Sequence, residues 1–287
     1  MTAIAQVGPM SVEMDSLVEI PRGDWIKLRD LYNKRDTDPH GYMCINNFIN
    51  WVQQEPELPV RVLSLNGDWQ QEGTFVIAVD MGTKHQHLYF NTLSDDLSPV
   101  TKALECLKPS NDEYLFFGFS SRFDPVVRHI GKTFLTKELN FVDTVWYFAS
   151  KELVSTFTIE APSGIRLDSL RIEDAETVNE IWPHRSHNSV KVVRRQIQYS
   201  ENVGAYDETG KLVAWCLRLT IGSLGLLQVL ESHKRLGLGN LMVRALSKKI
   251  NDLGEPVVAP VVPQNTASRR MFEKLGFQQI DKVFWAE

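Results

Sequence analysis

The chain has 287 residues, 43% of them hydrophobic, and a formal net charge of −5, so it can bury one large core or two ordinary ones. The acidic balance argues against nucleic acid as the main partner, and no apolar run approaches the length of a membrane span, so no membrane partner is expected. Cys44, Cys106 and Cys216 are widely spaced and odd in number, which argues against a disulfide framework and for a reducing compartment. The first twenty residues hold no Lys or Arg but contain Glu13, Asp15 and Glu19, unlike a presequence, so the expected location is the cytoplasm.

Taken in order, Asp24 is placed to cap a helix from Trp25 to about Lys34, and Tyr42–Gln54 reads as a second helix ending near Pro56. Strand-like runs follow at Val60–Leu65, Thr74–Val79 and His87–Phe90. A helix around Pro99–Leu107, a strand Tyr114–Phe119, a helix from Asp124 to about Gly131 and a strand Thr144–Phe148 complete the first half. The second half gives a strand at Ile165–Leu167, helices at Ile172–Trp182 and Ser189–Tyr199, and strands at Val203–Tyr206, Leu212–Leu219 and Leu224–Leu230. A long helix to Leu253, a strand Pro256–Val262, a short helix and a final strand Phe277–Trp285 end the chain.

From the first helix pair onward the two series match: helix, helix, three strands, helix, strand, helix, strand. Two copies of one α/β unit are therefore expected, residues 1–150 and 160–287, with a boundary near Ala149–Pro162. Charge divides between them. Residues 1–150 hold 13 Lys+Arg against 20 Asp+Glu, and 151–287 hold 18 against 16, so the basic excess lies in the second half, where a polyanionic ligand would be favoured.

The turn after the third strand separates the copies. In the second half Glu231-Ser232-His233-Lys234-Arg235-Leu236-Gly237-Leu238-Gly239-Asn240 leads into a helical stripe of apolar residues at 238, 241, 242, 245, 246, 250 and 253. Gly237 and Gly239 let backbone N–H groups approach a bulky anion, the helix N-terminus adds partial positive charge, and Lys234 and Arg235 add two full charges. The equivalent first-half turn is Asn91-Thr92-Leu93-Ser94-Asp95-Asp96; two carboxylates and no glycine would repel a phosphate. A Walker A loop is excluded because Asn240-Leu241 follows the glycines, and a dinucleotide fingerprint because Met242 stands where a third small residue is needed.

Lys-x-x-Gly-x-Gly after an apolar strand resembles motif A of the GNAT acyl-CoA N-acyltransferase superfamily, and Asn265-x-x-Ser268-x-x-x-Phe272-Glu273-Lys274-Leu275-Gly276-Phe277 resembles its motif B. Two tandem copies with a degenerate first one, together with Ile181-Trp182 before His184 and Ala214-Trp215 before the motif A strand, are similar to the glycine N-acyltransferase-like group. The resemblance covers the whole chain in layout, and its specific motifs span about 215 to 277.

The resemblance implies an α/β (α+β) fold of two tandem GNAT-like domains, each a mixed, mostly antiparallel central sheet flanked by helices. It implies acyl-CoA or acetyl-CoA as co-substrate, no metal, and a small-molecule amine or amino-acid acceptor such as glycine. Val229 and Leu230 would pair with the pantetheine arm and offer N–H groups to the thioester carbonyl. Lys234, Arg235, Leu236, Gly237, Leu238, Gly239 and Asn240 would hold the pyrophosphate, Asn265 and Ser268 the pantetheine, and Phe272 would pack near the thiol. Read by themselves, Asn265 and Ser268 serve equally as a helix cap and its first-turn partner, and Phe272 as core.

Proton handling is less defined. Counting from Trp215, the glutamate that the glycine acyltransferases use falls on Ser223, whose hydroxyl can at most position a relaying water. A tyrosine that many members of the superfamily use falls on Phe272. Glu231, His233, His184 and His187 remain as candidates. His184-x-x-His187 has no third ligand and does not match a zinc motif, and His85 and His87 read as strand residues on one face. The expected function is transfer of an acyl group from a CoA thioester to a primary amine; the alternatives are a protein or polyamine N-acetyltransferase and a non-catalytic acyl-CoA-binding protein. The better known members of the group are mitochondrial, an address this N-terminus does not support. Acyl length, acceptor and oligomeric state are not encoded legibly.

Overall fold

The structure is a computed structural model, and it describes residues 14–32, 39–107, 113–135 and 138–287. In the first half, β1 (Leu17–Glu19), α1 (Trp25–Leu31), α2 (His40–Gln54), β2 (Val60–Leu65), β3 (Phe75–Asp80), β4 (His85–Asn91), α3 (Ser98–Glu105), β5 (Glu113–Ser120), α4 (Asp124–Thr133) and β6 (Phe141–Ala149) follow in order. A short helix α5 (Lys151–Ser155) leads to β7 (Arg166–Asp168), α6 (Ala175–Ile181), α7 (Ser189–Tyr199), β8 (Asn202–Tyr206), β9 (Leu212–Arg218) and β10 (Leu224–Val229). Then come α8 (Leu238–Asp252), β11 (Val257–Val261), α9 (Thr266–Lys274) and β12 (Gln278–Ala286). The duplicated element order is present in full, and the sheets are mostly antiparallel with helices on their faces, as expected.

Small departures have local causes. Asp24 stands at the N-cap of α1 without a capping bond; its carboxylate is drawn instead to Lys27 Nζ at 2.7 Å. The tail of that expected helix, to Lys34, lies outside the described residues. Helix α5, unforeseen in the boundary segment, is capped by Ser150 and buries Val154 completely in the second-half core. The expected helix from Ile172 begins with a 3₁₀ turn, Ile172–Asp174, before α6.

The strand pairing is where sequence and tertiary structure part. Among the described residues, eight strands form one sheet in the order β1-β2-β3-β4-β5-β12-β6-β11, and four form a second in the order β10-β9-β8-β7. β12, the last strand of the second half, lies antiparallel between β5 and β6 of the first. β6 in turn pairs with β11 from Val257↔Ala149 to Val261↔Val145. Each half thus lends its terminal strand to the other, and one sheet runs through both.

Alternation on β6 serves both halves at once. Val145, Tyr147 and Ala149 join the core under α8 and α9, while Trp146 faces the core of the first half. Polar contacts reinforce the junction: Trp51 Nε1 donates to Ser200 Oγ at 2.9 Å, Tyr89 Oη and Thr220 Oγ1 lie 2.8 Å apart, and Arg195 pairs with Glu55 at 3.0 Å.

Candidate active site

β10 and β11 are neighbours in sequence order but belong to different sheets, each as an edge strand. Edge strands carry a row of unpaired N–H and C=O groups, so two such edges facing each other across a slot suit a linear ligand that bears amides. The first half closes the equivalent gap. There β4 and β5 pair in parallel from His85↔Glu113 to Leu88↔Phe116, and Phe90 beyond them packs on Phe116, Phe119 and Phe123.

β10 is not a regular strand. Its register with β9 shifts between Gly225↔Leu217 and Gln228↔Trp215, so Leu226 and Leu227 together oppose Cys216, and Leu226 has φ +46°. A bulge of this kind leaves peptide groups unpaired and re-aims them. Beyond it the ladder resumes, and successive backbone groups alternate sides. Leu230 N–H donates to Val213 O at 2.8 Å and its carbonyl accepts from His233 N–H at 2.9 Å. Of the two N–H groups expected at the thioester, that of Leu230 is therefore taken by the ladder; Val229, one residue earlier, turns its own away from β9. Leu226 and Leu227 were missed in the sequence, where Gly225 inside an apolar strand was the available signal.

The turn after β10 follows the sequence closely. Gly237 sits at the N-cap of α8 with φ +76°, and no side chain caps the helix. A Cβ built at Gly237 would meet nothing within 4 Å, so the space before it is open. The first-turn N–H groups of Leu238, Gly239 and Asn240 have no intrahelical acceptor and face that space at the positive end of a fifteen-residue helix. Arg235 also has positive φ, 66°. Lys234 and Glu231 form an exposed ion pair of 2.6 Å, which moderates the charge at the rim. In the first half the matching turn satisfies itself: Thr92 N–H donates to Asn91 Oδ1 at 2.7 Å, Ser94 N–H to Thr92 Oγ1 at 3.2 Å and Ser98 N–H to Asp96 Oδ1 at 2.9 Å.

In α9, Asn265 is the N-cap and its side chain accepts from Ser268 N–H at 3.1 Å. Phe272 is buried between Tyr147, stacked at 5.8 Å, and Phe277, edge-on at 5.0 Å. Tyr147 Oη donates to Glu273 Oε1 at 2.8 Å and accepts from Arg269 Nε at 3.3 Å; burial pushes its pKa up. The exchanged strand β6 thus brings a tyrosine against the residue standing where the superfamily's tyrosine is expected.

On the other face of the large sheet lies a cavity of about 500 Å³ that opens onto the slot at Gly225 and Leu226 of β10, at Pro260 of β11 and at Val262 just after it. β4, β5, β12 and β6 form its floor, and α7 with the segment 182–186 forms its roof. His184 and Arg185 are exposed at its mouth. His87 lies in its floor, stacked on Phe117, and burial lowers its pKa to about 4, so the ring is neutral. His85 Nδ1 lies 3.4 Å from Glu287 Oε2 at one end.

The proton-handling candidates are scattered. Ser223 is completely buried in the β9–β10 hairpin, its Oγ has no hydrogen-bond partner among the described residues, and it does not line the cavity. Glu231 lies in the turn with Lys234, and His184 alone of the three lines the cavity wall. Among the described residues no three His, Cys, Asp or Glu side chains gather as a metal ion would require, and no helix is long and apolar enough to cross a membrane.

Comparison with known proteins agrees with this geometry. Residues 202–286 match the model of the FR47-like protein family. No protein of curated description matches the chain. Among solved structures, a Drosophila protein is similar over 95% of this chain and 98% of its own, at 23% identity and a TM-score of 0.84. A tandem GNAT protein from the clavulanic acid biosynthesis pathway is similar over 95% and 98%, at 14% identity and 0.59. A GCN5-related N-acetyltransferase from Sphaerobacter thermophilus matches over 96% and 95%, at 9% identity and 0.58. At these identities the likeness is one of fold: the chain has the tandem GNAT architecture, and its second half carries the FR47-like match.

Proposed function

We propose that the protein is an acyltransferase of the GNAT kind that moves an acyl group from a CoA thioester to an amine. One observation carries the reading: the slot between β10 and β11 runs to an uncapped helix N-terminus at Gly237. A ligand with amides at one end and phosphates at the other matches that sequence of backbone donors. The first half, with its slot paired shut and its turn self-satisfied, holds no such ligand, and its role is to support the second.

In the reaction a neutral amine nitrogen attacks the thioester carbonyl carbon. The C–N bond forms as the carbonyl π electrons move onto oxygen, where N–H groups of the bulge and of Val229 donate to the oxyanion. Collapse of this intermediate re-forms C=O and breaks C–S, and the CoA thiolate leaves. The amine's proton passes to a base near the cavity mouth, for which His184 is the best-sited candidate, and the thiolate takes up a proton on release. Glycine or another small amino acid is the proposed acceptor, with Arg185 at the mouth to meet its carboxylate. A cytoplasmic address is part of the proposal, supported by three widely spaced cysteines that do not suit a disulfide framework.

The test is a thermal melt with CoA and acetyl-CoA, paired with release of free CoA in the presence of a panel of amines and amino acids. Binding to the folded state raises the melting temperature, and Gly237→Glu abolishes the rise by placing a carboxylate in the cradle. No shift at millimolar CoA, or an undiminished shift in Gly237→Glu, overturns the reading.

A further inference from the structure

The cavity beside the slot is far larger than an acetyl group needs, and its shape is specific. Its floor crosses five neighbouring strands in the order β4-β5-β12-β6-β11. The pairs His87↔Leu115 and Trp285↔Val142, joined by Phe117 packed edge-on against Trp285 at 5.8 Å, line these residues up across the sheet. Four interstrand steps of about 4.8 Å give a trough roughly 19 Å long.

The row is apolar. Val262, Val142, Trp285, Phe117 and Leu115 are half-buried with surface turned to the cavity. Thr144 Oγ1, the floor hydroxyl, already donates to Val283 O at 2.9 Å. His87 at the far side is held neutral by burial. Among the described residues, charged groups stand at the ends of the row: Arg185 at the mouth and the His85–Glu287 pair beyond His87. An amine or amino acid drawn along this floor would give up most of its hydration for two partners, Gln196 Oε1 in the roof and His87 Nδ1 at the far side, the lining atoms that are buried without a hydrogen bond among the described residues; a hydrocarbon chain loses nothing there.

We propose that the trough takes the acyl chain of the donor, so that the preferred donors are straight-chain acyl-CoA thioesters of medium to long chain rather than acetyl-CoA. The assignment rests on the acyl-CoA reading of the slot. The chain enters where the slot meets the cavity, at Gly225 and Leu226, and lies across β6, β12 and β5 toward His87. With C–C bonds of about 1.5 Å an extended chain advances about 1.3 Å per bond, so the trough holds about twelve to fourteen carbons. The half that lacks the cofactor slot thereby contributes to substrate choice, since β4, β5 and the exchanged β6 form most of the floor. The acceptor enters separately, under His184 and Arg185.

The experiment measures the affinities of the full-length protein for free CoA, acetyl-, butyryl-, octanoyl-, lauroyl- and palmitoyl-CoA. Acetyl-CoA and free CoA bind alike. Affinity then rises, by up to about fourfold per added methylene, and levels off near twelve to fourteen carbons. Val142→Trp, in the middle of the floor, removes the gain beyond butyryl and leaves free CoA affinity unchanged; Leu115→Trp, further along, removes it only for the longest chains. Equal affinity at every chain length with free CoA bound overturns the trough assignment. So does a chain-length gain that neither tryptophan alters while both variants still bind free CoA. Loss of free CoA binding in the wild-type protein overturns the cofactor reading itself.

Discussion

Asn46 Nδ2 of α2 donates a hydrogen bond of 2.9 Å to Glu255 Oε1, at the start of β11, and so ties the two halves together at the root of the slot. The same carboxylate pairs with the buried guanidinium of Arg218, which also reaches Glu201 Oε2 at 2.7 Å and Gly222 O at 3.1 Å. Arg218 is at the end of β9 and Gly222 is in the hairpin before β10, so this buried network fixes where β10 leaves the sheet.

Removing the cation leaves the buried carboxylate of Glu255 without its charge partner, and the partly exposed Glu201 without its own. Arg218→Met is expected to destabilise the fold by about 3–5 kcal/mol, read from urea unfolding. Converting the whole cluster, with Glu255→Leu and Glu201→Gln added, recovers most of that loss. A single variant within 1 kcal/mol of wild type, roughly the value of an ordinary hydrogen bond, would mean the network is solvated.

Gly237 offers a finer test than a charge reversal. Its φ of +76° makes Gly237→Ala cost about 1 kcal/mol in stability, while the new methyl points into open space. CoA affinity is expected to fall by more than tenfold, because the methyl fills volume that the phosphate needs. Gly210→Ala, also at positive φ with open space but in the β8–β9 turn, pays the same strain and leaves CoA affinity unaltered. Calorimetric titration of both variants separates strain from occlusion.

The exchanged strands make each half incomplete. Residues 160–287 alone would leave β11 without β6 and β12 without either neighbour. Each fragment is expected to be unfolded or aggregated by itself, and co-expression of 1–156 with 157–287 to restore a folded, CoA-binding complex. A monomeric, cooperatively folded 160–287 fragment with full CoA affinity would show that the exchange is dispensable.

His87 imposes a pH dependence on stability. Burial lowers its pKa from 6.5 to about 4, so the unfolded chain binds a proton that the folded chain refuses between those values. Stability is fully present above pH 6.5 and declines as pH falls toward 4. The loss between pH 7 and pH 5 from this one group is about 2 kcal/mol. His87→Asn removes that increment, and denaturant melts at the two pH values measure it as the difference between variant and wild type.

For proton transfer, His184→Ala is expected to lower kcat/KM by about 10²-fold near neutral pH and to recover partly at high pH, where the amine is already deprotonated. Glu231→Gln and Ser223→Ala stay within threefold of wild type. A pH–rate profile with an unchanged acidic limb in His184→Ala would remove the histidine from the role.

What the sequence determined by itself was local. Strand and helix periodicities gave the duplicated element order, because alternation and the helical repeat are properties of neighbouring residues. Gly237 marked the turn into α8 for the same reason: a left-handed N-cap is a single-residue requirement. The self-satisfied turn at 91–96 was legible as a site without glycine or net positive charge. Which strand lies beside which was not legible. Phe141–Ala149 and Gln278–Ala286 are strands of equal length whose patterns fit either neighbour, and only the packing of two half-sheets against each other selected the exchange. The bulge at Leu226, the loss of Leu230 N–H to β9, the burial of Ser223 and the trough across five strands depend on pairings between residues far apart in the chain. Tertiary structure decided them because backbone hydrogen bonds carry no side-chain label: any strand edge can satisfy any other, and burial chooses among them.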